Sequence, residues 1–283
     1  MPELPDVEAF RTVLDSCARG RRIERVEVYD AGVLRDVSER RLRRELEGRR
    51  FEEPARHGKW VLARTDGPTL LLHFGMTGRL LCCSPDDPRH AHDRVAVTVG
   101  GGAREGHRAR EGHCGGGPDE GDVVRQVRYR DQRKLKGIWL TDEAGVARLL
   151  AGQGPDAATA TRGAFDAALA GRRGGLKPAL MDQSVLAGLG NLLVDEILWR
   201  ARLHPERTVR GLTDDDRARL YAEMRRTLRA AVRAGRVPSR KSWLTGHRDE
   251  PGAACPRCGA PLCHGRVAGR GTVRCPRCQP RQS

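Results

Sequence analysis

The sequence predicts an α+β protein in several parts: a β-rich N-terminal half with helices at its edges, a helical middle, and a small C-terminal β-hairpin built on cysteines. Three observations lead there. Short alternating or wholly apolar runs, broken by Gly, Pro and Asp, fill residues 1–147. Beyond them the texture turns to longer amphipathic helical periods. From Cys255 to Cys278, two C-x-x-C pairs flank a segment that fits a hairpin. At 283 residues the chain can bury a sizeable core and divide into more than one unit.

Taken in order, Val7, Phe10, Val13, Leu14 and Cys17 fall near one face at helical spacing. Pro5 is allowed in the first turn and Gly20 acts as a stop, so a helix is expected from residue 5 onward. The runs "RRIERVEVYD", "GKWVLARTD", "TLLLHFGMTGRLL", "RVAVTVG" and "KLKGIWLTDE" read as strands. "SERRLRRELEG" reads as another helix, capped by Ser38 and ended by Gly48. Residues 98–122 are rich in Gly and charge, with a near-duplicated "REGH", and read as a surface insertion. Nothing fixes the mutual geometry of His107, His113 and Cys114 there, so a solvated loop is favoured over a metal site. "TRGAFDAALAGRRG", "SVLAGLGNLLVDEILWRARLHP" and "TDDDRARLYAEMRRTLRAAVRAGR" supply a helical module. Asp214, Asp215 and Asp216 open its last helix and arginines crowd its end, as the helix dipole favours. "VPSRKSWLTGHRDEPGA" reads as a linker, giving domains 1–147, 148–238 and 239–283.

Charge narrows the function. With 52 Lys+Arg against 37 Asp+Glu, the formal charge of +15 recruits polyanions, and nucleic acid is the leading partner. No apolar run reaches membrane-spanning length and the acidic, proline-bearing start does not resemble a signal peptide, so a cytoplasmic protein is expected. In a reducing compartment the nine cysteines point to metal ligands or free thiols instead of a disulfide framework.

Cys255 and Cys258 form one C-x-x-C pair, Cys275 and Cys278 the other, and the 16 residues between the pairs match the spacing of a structural zinc site. Four thiolates leave a tetrahedral ion no open position, so Cys263 and His264 read as non-ligands. A hairpin this short has little core of its own. What it would present is Arg270, on the Gly-flanked tip "AGRGT", to a phosphate backbone.

The opening "MPELP" carries chemistry of its own. Loss of Met1 would leave Pro2 with a free secondary amine, which titrates far below a lysine and is lowered further beside a helix N-terminus. Such an amine attacking a sugar C1′ gives an iminium, an electron sink that acidifies the C2′ proton. Glu3, one residue on, could serve as general acid.

The blocks "PELPDVE", "HGKW", "HFGMTG", "RYRDQRKLKG", "LMDQSVLAGLGNLLVDEILWRARLHP" and "AGRGTVRCPRCQ" resemble, in the same order, the formamidopyrimidine-DNA glycosylase and endonuclease VIII family. The resemblance covers nearly the whole chain except the Gly-rich insertion and residues 235–253. It implies an N-terminal β-sandwich, a helix-two-turn-helix unit with a zinc hairpin, and DNA bound between them. It also implies a monomer that excises damaged bases and cleaves the strand, with one structural zinc ion and double-stranded DNA carrying a damaged base or abasic site as partner. Carried over position by position, Pro2 looks like the nucleophile, Glu3 the general acid and Lys59 the lysine that assists near the abasic sugar. Asn191 resembles the phosphate ligand at a helix start, and Lys177 and Arg270 resemble further backbone clamps. Met76, Arg133, Lys134 and Leu135 fall where the family places the residues that fill the gap left by an extruded nucleotide.

Three departures bear on the substrate. Leu135 stands where an aromatic residue is common and Lys134 where Arg is common. The segment "VPSRKSWLTGHRDEPGAA" is shorter than the loop that closes over the flipped base in the 8-oxoguanine-preferring branch. Asp6 replaces an expected Glu. The endonuclease VIII side is therefore the closer comparison. Two other readings stay open: a specialised glycosylase for bulky N7-alkylguanine or crosslinked lesions, and a catalytically idle damaged-DNA-binding protein.

Overall fold

The computed structural model describes residues 1–101 and 124–281. His107, His113 and Cys114 lie outside the described residues, as does most of the expected insertion. Its first residues are regular structure, since Thr98, Val99 and Gly100 finish a strand.

The chain divides into two compact units. One comprises Met1–Pro2, Phe10–Arg56 and Trp60–Leu149, and the other Glu3–Ala9, His57–Lys59 and Leu150–Ser283. The texture change near residue 147 thus falls beside a real division. The cysteine hairpin, however, groups with the helices instead of forming a third body. Trp199 and Leu244 share a buried cluster with Cys255, Leu262, Val273 and Cys275, which supplies the core the hairpin lacks. Two short N-terminal pieces also join the helical unit, because Leu4 is buried among Leu176, Leu189 and Leu193.

In the first unit, helix α1 (Leu4–Ala18) leads into two sheets. One is antiparallel, ordered β1 (Arg22–Val28), β7 (Asp93–Gly100), β8 (Arg125–Arg130), β6 (Arg79–Cys83). The other is ordered β2 (Leu34–Arg35), β9 (Gly137–Thr141), β5 (Thr69–His73), β4 (Trp60–Ala63), β3 (Ala55–His57), with β2 parallel to β9. Leu70, Leu72 and Ile138 of one sheet meet Leu80, Val95, Val97 and Val127 of the other over one apolar space, so the unit is a β-sandwich. Helix α2 (Glu39–Leu46) adds Leu42 and Leu46, one turn apart, and the Ser38 hydroxyl accepts from the Arg41 N–H as its cap. Strand β8 hides its signal, since "RQVRYR" mixes arginines into the alternation yet Arg128 is buried.

One expectation is overturned here. Cys17 on α1 and Cys82 on β6 form a disulfide, with their Cα atoms 5.9 Å apart. Compartment and local spacing carry no sign of this bond, because a pair 65 residues apart has no spacing signature.

After α3 (Glu143–Leu150), the second unit packs α4 (Arg162–Leu169), α5 (Leu176–Met181), α6 (Asn191–Arg200) and α7 (Asp214–Arg233) around Phe165, Leu169, Leu193, Ile197, Leu220 and Met224. Thr213 and Asp216 form a capping box at the start of α7. The segment "SVLAGLG" is loop, and α6 begins only at Asn191. The hairpin β10 (Cys263–Val267) and β11 (Arg270–Arg274) closes with Ala268 and Gly269, both at positive φ, which matches the right-handed twist of a two-residue turn. Among the described residues no helix is long and apolar enough to cross a membrane.

Candidate active site

The N-terminus of α6 receives Glu3. Its carboxylate accepts from the Leu192 N–H at 2.8 Å and from the Leu193 N–H at 3.0 Å, and the residue is 2% exposed. Both donors are among those a helix start leaves unpaired, at the positive end of the helix dipole. The glycines of "GLGN" make the seat. A Cβ on Gly190 would fall 2.2 Å from the Glu3 carboxyl carbon, and one on Gly188 would fall 2.5 Å from Leu4 Cδ1. Gly188 also stands at φ +109° and accepts the Leu4 N–H through its carbonyl. Pro2 is half-buried directly ahead of this anchored residue. Burial pushes the Glu3 carboxyl above the ordinary carboxylate range, while the Lys59 charge and the two helix N–H groups pull it back. The Asp6 carboxylate, which accepts from the Glu3 N–H at 2.9 Å, is also raised by burial.

Lys59 is placed by the turn His57–Gly58–Lys59 between β3 and β4. Gly58 adopts φ +56°, and its N–H donates to Asp156 Oδ2 at 2.6 Å. A Cβ at Gly58 would meet Ala187 Cβ at 2.7 Å, so this glycine allows the turn to lie against the segment that leads into α6. His57 Nε2 donates to the Gly154 carbonyl at 3.0 Å. Burial draws the Lys59 ammonium down from its usual range, Glu3 opposes that, and Arg270 adds to it. Lys59 therefore feels the charges of both Glu3 and Arg270. The site sets an acid with raised proton affinity within electrostatic reach of a cation with lowered affinity.

The cysteine hairpin is pinned to α6 through one carbonyl. Gly271 O accepts from Asn191 Nδ2 at 2.9 Å, Lys177 Nζ at 3.2 Å and Arg248 Nη2 at 2.6 Å. Lys177 corrects an expectation. Its ammonium is wholly buried and donates also to Asp195 Oδ1 at 2.6 Å and Thr272 Oγ1 at 2.7 Å, so all three of its hydrogens are engaged inside the protein. It holds the hairpin, and none of its hydrogens is left over for a DNA backbone in this structure. Asp195 also binds Arg248 and accepts from the Val273 N–H. Asn191, the first residue of α6, has engaged its side-chain amide with Gly271, while Arg270 stands exposed at the start of β11. Sequence reasoning missed Asp195, Thr272 and Arg248. Asp195 had a signal, an acid inside the apolar run "NLLVDEILW", whereas Arg248 had none.

At the base of the hairpin, ligand atoms of Cys255, Cys258, Cys275 and Cys278 all lie within 4.8 Å of one another. The Trp199 indole N–H donates to Cys255 Sγ, and the Cys278 N–H to Cys275 Sγ. Such donors suit thiolates, so the four residues fit a metal ion. Cys263 and His264 sit on β10 outside the cluster.

In the sandwich unit, Met76 (41% exposed) and Leu135 (49% exposed) are two of the four large apolar residues left exposed among the described residues. Arg133 lies with them, its Nη1 3.1 Å from Met76 Sδ. Lys134 does not present its charge freely, since it adopts φ +52° and its ammonium pairs with Asp30 at 2.9 Å.

Comparison with known proteins agrees with this arrangement. The family described as "Formamidopyrimidine-DNA glycosylase N-terminal domain" matches residues 1–114, and "Formamidopyrimidine-DNA glycosylase H2TH domain" matches residues 151–242. The formamidopyrimidine-DNA glycosylase of Roseiflexus sp. is 36% identical over 99% of this chain and 100% of its own. That of Symbiobacterium thermophilum is 35% identical over 99% and 90%. The Lactococcus lactis enzyme, solved in complex with DNA containing an abasic site, superposes with a TM-score of 0.81 at 28% identity, over 99% of this chain and all of its own.

Proposed function

Since the chain belongs to the formamidopyrimidine-DNA glycosylase family of base-excision-repair DNA glycosylases, we propose that it both excises damaged bases from DNA and cleaves the strand, through an iminium formed on Pro2. The observation that carries this reading is Glu3, a buried carboxylate with raised proton affinity, covalently next to Pro2 and within electrostatic reach of Lys59.

The Pro2 amine attacks C1′ of the damaged nucleotide and the bond from C1′ to the base breaks, the base leaving with a proton. Glu3 protonates the sugar-ring oxygen as the ring opens, which yields the cationic iminium. Loss of the C2′ proton then expels the 3′ phosphate by breaking the C3′–O bond, and water hydrolyses the iminium to free the amine. Lys59 and Arg270 supply positive charge to the phosphates beside the sugar, with Asn191 at the α6 start. Met76, Arg133 and Leu135 fill the gap in the duplex, with Lys134 holding their loop to Asp30. The four cysteines hold one structural zinc ion. Native mass spectrometry should find one zinc per chain, lost on Cys275→Ser.

The reading also places the lesion nearer the endonuclease VIII side. Support comes from Leu135 in an aromatic's usual place and the short segment before Cys255. A panel of an oxidised pyrimidine, a ring-opened purine and 8-oxoguanine decides it: faster excision of 8-oxoguanine than of the pyrimidine overturns this part.

Borohydride trapping on a duplex with one abasic site tests the chemistry. A covalent adduct lost in Pro2→Gly is expected. Protein lacking Met1 that binds the duplex but yields no adduct refutes the iminium route.

A further inference from the structure

The exposed side chains of Met76, Arg133 and Leu135 make few contacts that could hold them, yet the two loops that carry them are tied together from within. The Thr77 hydroxyl donates to Asp131 Oδ1 at 2.5 Å, and the Arg133 N–H donates to both Thr77 Oγ1 and Asp131 Oδ1, each at 3.1 Å. Asp131 is 1% exposed and fastened to β7, its N–H donating to the His92 carbonyl at 3.0 Å and its carbonyl accepting from Arg94 Nε at 2.7 Å. The Met76 loop is a tight turn, with the Gly78 N–H on the Phe74 carbonyl and no room for a Cβ at Gly78, which would fall 2.5 Å from that oxygen. At the far end of the other loop, Arg35 Nη2 donates to the carbonyls of Lys134 at 2.9 Å and Lys136 at 2.8 Å.

We propose that Thr77 and Asp131 are positioning residues for base extrusion: they lock the Met76 loop to the Arg133–Leu135 loop, so that the wedge enters the duplex already formed. This rests on the reading of those three side chains as the wedge. An apolar side chain pushed between base steps gains only if it is not also being ordered at that moment, and a buried hydroxyl–carboxylate node removes that ordering cost beforehand. The node is polar because it lies under solvent-facing loops, where apolar packing has too little area to do the same work.

The test is stopped-flow fluorescence of 2-aminopurine beside a paired lesion. Thr77→Val keeps the side-chain shape but removes both the donor to Asp131 and the acceptor for Arg133, and should slow extrusion about tenfold, the scale of one to two hydrogen bonds. Thr77→Ser should restore the rate to within about twofold. In a Met76→Ala background, Thr77→Val should add little, because it acts through the wedge, whereas a general loss of packing would add in full. Should Thr77→Val not fold, Asp131→Ala probes the same node by the same cycle. Extrusion at the wild-type rate in the folded variant, or full additivity with Met76→Ala, overturns the proposal. Wild-type protein that extrudes no base, or a Met76→Ala variant that extrudes normally, overturns the wedge reading itself.

Discussion

Helix α6 meets the buried carboxylate of Glu3 at its first turn and carries that of Asp195, and the two are held differently. Glu3 accepts from the N–H groups of Leu192 and Leu193 and feels the Lys59 charge, yet burial raises its proton affinity. Asp195, on the helix itself, is answered by the Lys177 ammonium, the Arg248 guanidinium and the Val273 N–H. The difference separates a carboxylate left with raised proton affinity from one bound into ion pairs that fasten the hairpin to α6. A carboxylate bonded directly to two cations fixes the chain around it, while one met by helix N–H groups and by a cation that makes no direct bond to it keeps a raised proton affinity.

Removing a counter-charge from the second carboxylate should have the largest effect. Lys177→Met leaves Asp195 buried beside Arg248 only, and should cost about 3–5 kcal/mol in urea unfolding. Adding Asp195→Leu should restore part of that loss, because the uncompensated charge goes with it. Disturbing the first carboxylate without changing its chemistry comes next: Gly190→Ala drives a methyl group into the Glu3 seat and should lower single-turnover excision about a hundredfold, as a shift on the order of 1 Å does. The smallest effect is a pH slope. Because the folded protein holds the Glu3 proton more tightly than the unfolded chain, this group's stabilisation is complete below the ordinary value of 4.5 and is lost as pH rises through the raised value. Wild-type protein should therefore gain stability relative to Glu3→Gln as pH falls from neutrality toward 4.5, with melting temperatures as the readout. A flat difference would mean that Glu3 and Asp195 are not treated differently after all.

Much of this was legible in the sequence where chemistry and spacing coincide. The Cys255 to Cys278 pattern, the Ser38 cap and the long helix opened by Asp214, Asp215 and Asp216 each rest on local rules, and each formed as read. Residues whose meaning depends on a partner far along the chain were opaque. Lys177 reads as a surface cation until Asp195, Thr272 and Gly271 are seen around it. Gly190 enters the sequence only as part of the "GLGN" block, and the arrival of Glu3 explains why no side chain is allowed there. Thr77 and Asp131 carry no motif at all, since their significance lies in joining two loops.

The bond between Cys17 and Cys82 closes a covalent ring that contains α2, β1 to β5 and the turn that carries Lys59. A protease cut inside that ring leaves both fragments on one molecule until a reductant is added, whereas a cut outside it releases a piece at once. Digests run with and without reductant would then sort cleavage sites into those two groups, and would report whether the segment carrying Lys59 stays covalently tied to Cys17 and Cys82 after its chain has been cut.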